Sequence, residues 1–143
     1  MNPKRLAAAI IAVFITVSIA DFLIHGVWLK NDYAASASLW RPEAEMQAHM
    51  GWLMLGQLLC SVAFTLLWAK GFAENARPFC AVMFGLCTGI FAGANTLATY
   101  AVQPLPGSLA AKWFVASIAE CVLLAFVLLF VYKPKPPQAA SEI

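Results

Sequence analysis

Residues 6–29 read LAAAIIAVFITVSIADFLIHGVWL, a run of 24 residues in which only Asp21 and His25 are ionisable. As a helix it would be roughly 36 Å long, enough to cross hydrocarbon about 30 Å thick. Three further runs pass the same test: 49–69, 78–102 and 108–132, each bounded by Lys, Arg, Pro or Gly. What lies between them is one outer loop and two short connections, too little for a soluble domain. The Pro-rich stretch 133–143 cannot pack a core and is expected to be a disordered tail. The fold expected over 1–143 is therefore a single all-α domain, a four-helix transmembrane bundle.

Composition agrees with that reading. Of 143 residues 62% are hydrophobic and 11% charged, with a mean hydropathy of +0.78, whereas soluble domains run to about 45–50% apolar and about 25% charged. A soluble enzyme of ordinary size and a disordered chain are excluded. A net charge of +2 supplies no clustered basic surface, so no nucleic-acid partner is expected.

Orientation follows from the basic residues. Lys4, Arg5, Lys70, Arg77, Lys133 and Lys135 fall on one side, against Lys30, Arg41 and Lys112 on the other, which puts both termini in the cytoplasm. The start, Met1 to Arg5 ahead of an apolar run, mimics a secretory signal, but the run is long for a signal core and an uncleaved first helix is expected. Trp28, Trp40 and Trp113 then fall at the outer boundary, and Trp68 and Tyr132 at the inner one, where amphipathic rings favour the headgroup region. The second helix is expected to begin before its apolar run, because Pro42 suits a first-turn position and Glu43 and Glu45 favour the positive end of a helix dipole. Residues 42–69 would then form one helix of roughly 42 Å.

On the third span Gly85, Gly89 and Gly93 recur every four residues, a line of missing side chains that lets another backbone approach closely. A tight contact inside the chain and a contact with another subunit are both open. No internal repeat is present, so this chain alone does not read as an inverted-repeat transporter.

Charged groups at mid-membrane cost about 2.5–3.5 kcal/mol each on insertion scales, so those retained there are functional candidates. Asp21 and Glu120 are the two, at matching depths from the outer ends of the first and last spans. His25 follows Asp21 by one helical turn and shares its face; Glu45 and His49 repeat that arrangement at the outer end of the second span. Asn95 and, somewhat deeper, Gln57 complete a polar set confined to the outward half. A pocket of Asp21, His25, His49, Asn95 and Glu120, with Glu45 beside it, is expected there.

Three readings of that pocket stand side by side. It is a metal or haem site, with imidazole from His25 and His49 and oxygen from Asp21, Glu120 and Glu45, a set suited to a divalent ion, or with both histidines as axial ligands of a noncovalent haem b, since no Cys-x-x-Cys-His motif exists. It is a proton or small-ligand site around a water-filled cavity. Or its groups satisfy one another, Asp21 with His25 and Glu120 with Asn95 or Tyr100, and hold helix register. Cys60, Cys80, Cys87 and Cys121 lack metal-finger spacing and read as small apolar residues. Met46, Met50 and Met54 form a row better suited to packing or lipid than to a soft metal. No nucleophile–base pair, phosphate loop or zinc-protease motif occurs, so an enzyme is the weaker class.

The segment Asp-Phe-Leu-Ile-His-Gly-Val-Trp-Leu-Lys from Asp21, then Tyr33, Leu39 to Met46 (LWRPEAEM), Pro104-Leu-Pro106, Trp113 and Glu120 resemble the pattern of an uncharacterised family of small bacterial four-span integral membrane proteins. The resemblance covers most of the chain. It implies a bacterial inner membrane and carries no activity, cofactor or substrate. Tyr33, Trp40 and Arg41 could fold the outer loop over the mouth of the bundle as a lid, with Arg41 reaching Glu45, Asp32 or lipid phosphate; an interfacial loop anchored by Trp40 is the alternative. The function expected first is noncatalytic binding in the outward pocket. The alternatives are an accessory subunit docking on a larger membrane complex through the glycine face, and a channel or transporter built as a homo-oligomer.

Overall fold

A computed structural model describes residues 2–132; the expected tail lies outside them. The order is α1 (Pro3–Asp21), wider π-type turns (Phe22–Trp28), α2 (Lys30–Ala35), a 3₁₀ turn (Ala37–Leu39), α3 (Glu43–Ala48), α4 (Met50–Gly71), a second 3₁₀ turn (Ala73–Asn75), α5 (Pro78–Val102) and α6 (Gly107–Val131). Among the described residues there is no strand. Four helical segments, Pro3–Trp28, Met50–Gly71, Pro78–Val102 and Gly107–Val131, are long and apolar enough to cross a membrane. Large side chains such as Phe91, Trp52 and Phe79 turn outward from them, a surface suited to lipid tails, which are as apolar as leucine.

Local chemistry sets the helix ends. The Asn2 side chain accepts from the Lys4 and Arg5 amides and caps α1. Pro78 opens α5 at the first-turn position where its missing N–H costs nothing.

Two expected helices are not regular. The first span is α-helical only to Asp21; beyond it the ladder widens, and the Leu29 amide reaches five residues back to the Ile24 carbonyl at 2.8 Å. Such wide turns often mark functional sites, and this one carries His25. The second helix is not continuous over 42–69 but divides at His49. There the imidazole Nδ1 donates to the Glu45 carbonyl at 2.8 Å, and the Trp52 amide closes a tight three-residue turn on the His49 carbonyl at 3.0 Å.

The glycine row is the seat of α6. A Cβ on Gly85 would stand 2.5 Å from Val122 Cα, one on Gly89 2.6 Å from Ile118 Cα, and one on Gly93 2.7 Å from the Phe114 ring. All three glycines are buried. The face is thus consumed inside the chain, and the expectation of a partner subunit docking on it is corrected: its surface is already covered.

Helix α1 packs on α4 and α6. At the end of the bundle where the chain enters α1 and leaves α6, Ala9, Val13, Ala81, Leu124, Ala125 and Leu128 surround an aromatic core. Phe84 of α5 meets Phe64, Phe72 and Trp68 with ring centroids 4.7, 4.9 and 5.5 Å away. Trp68 is wholly buried and Tyr132 nearly so. Both lie near the ends of their spans, and the rings of Phe72 and Phe84 pack over Trp68.

Candidate functional site

The opposite end of the bundle is polar. The α1–π junction, α5 and α6 enclose an open cavity of about 360 Å³ lined by Asp21, Ile24, His25, Thr96, Trp113, Ala116, Ser117 and Glu120. At about 30 Å³ per water it holds on the order of ten water molecules.

Asp21 is held from two sides. Gln57 of α4 donates Nε2–H to Asp21 Oδ2, and His25 Nε2 stands 3.6 Å from Asp21 Oδ1. The far end of Gln57 continues the line, with its Oε1 3.2 Å from the Ser18 hydroxyl. Sequence reading placed Gln57 only near the cluster; that it is the partner of Asp21 depends on how α1 crosses α4.

Beyond His25 the line runs into the loop. The Tyr33 hydroxyl is 2.5 Å from His25 Nδ1 and accepts the Trp113 indole N–H at 2.8 Å. Indole nitrogen is a donor only, so Tyr33 accepts from Trp113; in the neutral tautomer with its hydrogen on Nε2, facing Asp21, the imidazole Nδ1 accepts the Tyr33 hydrogen. Tyr33, Trp40 and Trp113 form a three-ring cluster with centroids 5.3 to 6.3 Å apart. Lys112 of α6 clamps the same loop, its Nζ 2.8 Å from both carboxylate oxygens of Asp32. Neither Lys112 nor Asp32 was an expected site residue; their likeness to ordinary surface charges gave no signal.

Burial acts on Tyr33 as the chief influence and raises its phenol above the ordinary 10.0; the Trp113 hydrogen bond opposes this, and the Asp21 and Asp32 charges add to it.

The expected pocket therefore divides. Asp21, His25 and Glu120 share the cavity, and one Glu120 carboxyl oxygen, Oε1, is buried with no hydrogen-bond partner among the described residues. His49 lines a separate, more apolar groove with Arg41, Glu43, Met46, Gln47, Met50 and Leu53. Glu45 stands outward and pairs with Arg41 at 3.8 Å, both side chains well exposed. Asn95 also faces outward and donates to the Phe91 carbonyl of its own helix, so Glu120 finds no partner there. Of the expected lid, Tyr33 and Trp40 sit by the cavity and Arg41 does not.

This division bears on metal and haem. Among the described residues no three His, Cys, Asp or Glu side chains are grouped as ion ligands. The two histidines line different cavities. The described residues therefore bring together neither the expected His25–His49 ligand set nor a pair of axial imidazoles for haem. What the fold defines is an integral membrane four-helix bundle with an acidic cavity near one end. No family model matches the chain, and no curated protein or solved structure matches it.

Proposed function

We propose that this chain is a noncatalytic integral membrane protein, with both termini on the cytoplasmic side of a bacterial inner membrane, that binds a small polar solute in its outward-half cavity. The observation that carries the reading is the convergence of Asp21, His25 and Glu120, from two different spans, on one open cavity. Ionisable groups at such depth are costly, and in membrane helices they characteristically face a functional cavity. The loop supports the reading, since Tyr33 ties the cavity histidine to Trp113 at the mouth. An open cavity with oriented polar groups and no paired nucleophile and base suits binding rather than bond-making.

The test uses the full chain in lipid nanodiscs. Thermal stability is followed against propylammonium, propanol and propionate, three solutes of similar size and different charge. At least one should raise the melting temperature of the wild type in a saturable way. Ala116→Leu, which fills the cavity, should abolish that response. No response to any of the three, or a response unchanged in Ala116→Leu, would overturn the reading.

A further inference from the structure

We infer that the occupant of this cavity is a primary ammonium group, an inference that rests on the binding reading above. The argument is an inventory of hydrogens. The Trp113 N–H is given to Tyr33, Tyr33 and His25 Nδ1 use one hydrogen between them whichever carries it, Gln57 gives an Nε2 hydrogen to Asp21, and the Ser117 O–H goes to the Trp113 carbonyl at 2.9 Å. The remaining His25 hydrogen, on Nε2, faces Asp21. Only Thr96 keeps a rotatable hydroxyl, able to donate or accept.

The acceptors are in surplus. Asp21 takes Gln57 on Oδ2 and faces His25 with Oδ1, yet keeps a further lone pair on each oxygen; Ser117 keeps its lone pairs, and Glu120 Oε1 is buried without a partner among the described residues. No Lys or Arg lines the cavity, and the nearby Lys112 is committed to Asp32. With both carboxyl groups ionised, a ligand that completes this site brings hydrogens and positive charge. An ammonium brings three donors on one compact cation, matching two carboxylates and a serine oxygen. A metal ion, which brings charge without donors, requires a closer ligand group than the described residues form. An anion would meet two carboxylates, and a neutral alcohol would leave their charge unpaired.

Such a group arrives either on a free alkylamine or on the ethanolamine headgroup of a phospholipid, and the experiment separates the two. Propylammonium, propanol and propionate are titrated calorimetrically into the full chain in phosphatidylglycerol nanodiscs at pH 7, and again with phosphatidylethanolamine included. Propylammonium alone should bind, and binding should weaken at least tenfold in both Glu120→Gln and Asp21→Asn, with His49→Ala unchanged. Ser117→Ala is the milder variant should either carboxylate change unfold the bundle, and a several-fold loss is expected. Competition by phosphatidylethanolamine identifies the lipid headgroup as the source; equal binding in both lipids identifies a free amine. Binding of propionate or propanol in preference, or propylammonium binding indifferent to these variants, would overturn the ammonium assignment and leave the solute-binding reading standing. Binding of none of the three overturns both.

Discussion

The Tyr33 hydroxyl lies 2.5 Å from His25 Nδ1, so a residue of the loop-borne α2 is joined to the wide turns of the first span. The same oxygen takes the Trp113 indole hydrogen, and two neighbouring segments of the chain meet a third, 80 residues further on, at one atom. Tyr33→Phe keeps the ring and removes that junction. It leaves the half-buried Trp113 N–H without its acceptor, a loss of about 0.5–1.5 kcal/mol, visible as a lower melting temperature and a shifted tryptophan emission.

High pH should act through the same phenol. Its folded-state value lies above the ordinary 10.0, so the unfolded chain loses the proton first as pH rises. The stability it contributes is whole below pH 10 and is lost as pH climbs through the folded value. The phenolate absorbance titration should lose a component lying above the ordinary value in Tyr33→Phe. A titration whose lost component lies at or below the ordinary value would contradict this.

Glycine positions should separate into two classes. Gly85→Ala places a methyl against Val122 backbone, which cannot yield without moving α6; overpacking of this kind costs about 1–3 kcal/mol. Gly56→Ala and Gly51→Ala meet nothing within 4 Å and should be neutral or slightly stabilising through helix propensity. Detergent or denaturant unfolding of the three variants side by side decides the matter.

Gln57 and Asp21 should be coupled. Interhelical hydrogen bonds in membrane bundles average about 0.6 kcal/mol with a maximum near 1.7. A double-mutant cycle of Gln57→Leu and Asp21→Leu is expected to return a coupling in that range, while the cycle of Gln57→Leu with Asn95→Leu, whose side chain bonds within its own helix, should be additive.

Trp68 tests the opposite pole of the bundle. Its indole nitrogen is buried without a partner among the described residues, so Trp68→Phe removes an unsatisfied donor and should be mild. Trp68→Ala empties the aromatic core and should cost about 3–5 kcal/mol. A phenylalanine variant as unstable as the alanine one would show that the indole nitrogen is bonded after all.

Several features of this protein were legible without coordinates. The four spans follow from composition, since runs such as 6–29 are soluble only in hydrocarbon and long enough to cross it. The close seat at Gly85, Gly89 and Gly93 follows from spacing, because glycines four apart clear one helix face whatever lies opposite. One turn between Asp21 and His25 sufficed to put them together. What lay opposite those glycines, and which polar groups would meet, was decided only by tertiary structure. A helix apolar all round carries no amphipathic stripe to say which face turns inward. Neighbour order, helix crossing and local breaks in the ladder therefore select the contacts: α6 rather than a partner covers the glycine row, Gln57 rather than His49 reaches Asp21, and Trp68 packs under Phe72 and Phe84. The widening after Asp21 and the tight turn at His49 lie in backbone hydrogen bonding, which neither residue type nor periodicity announces.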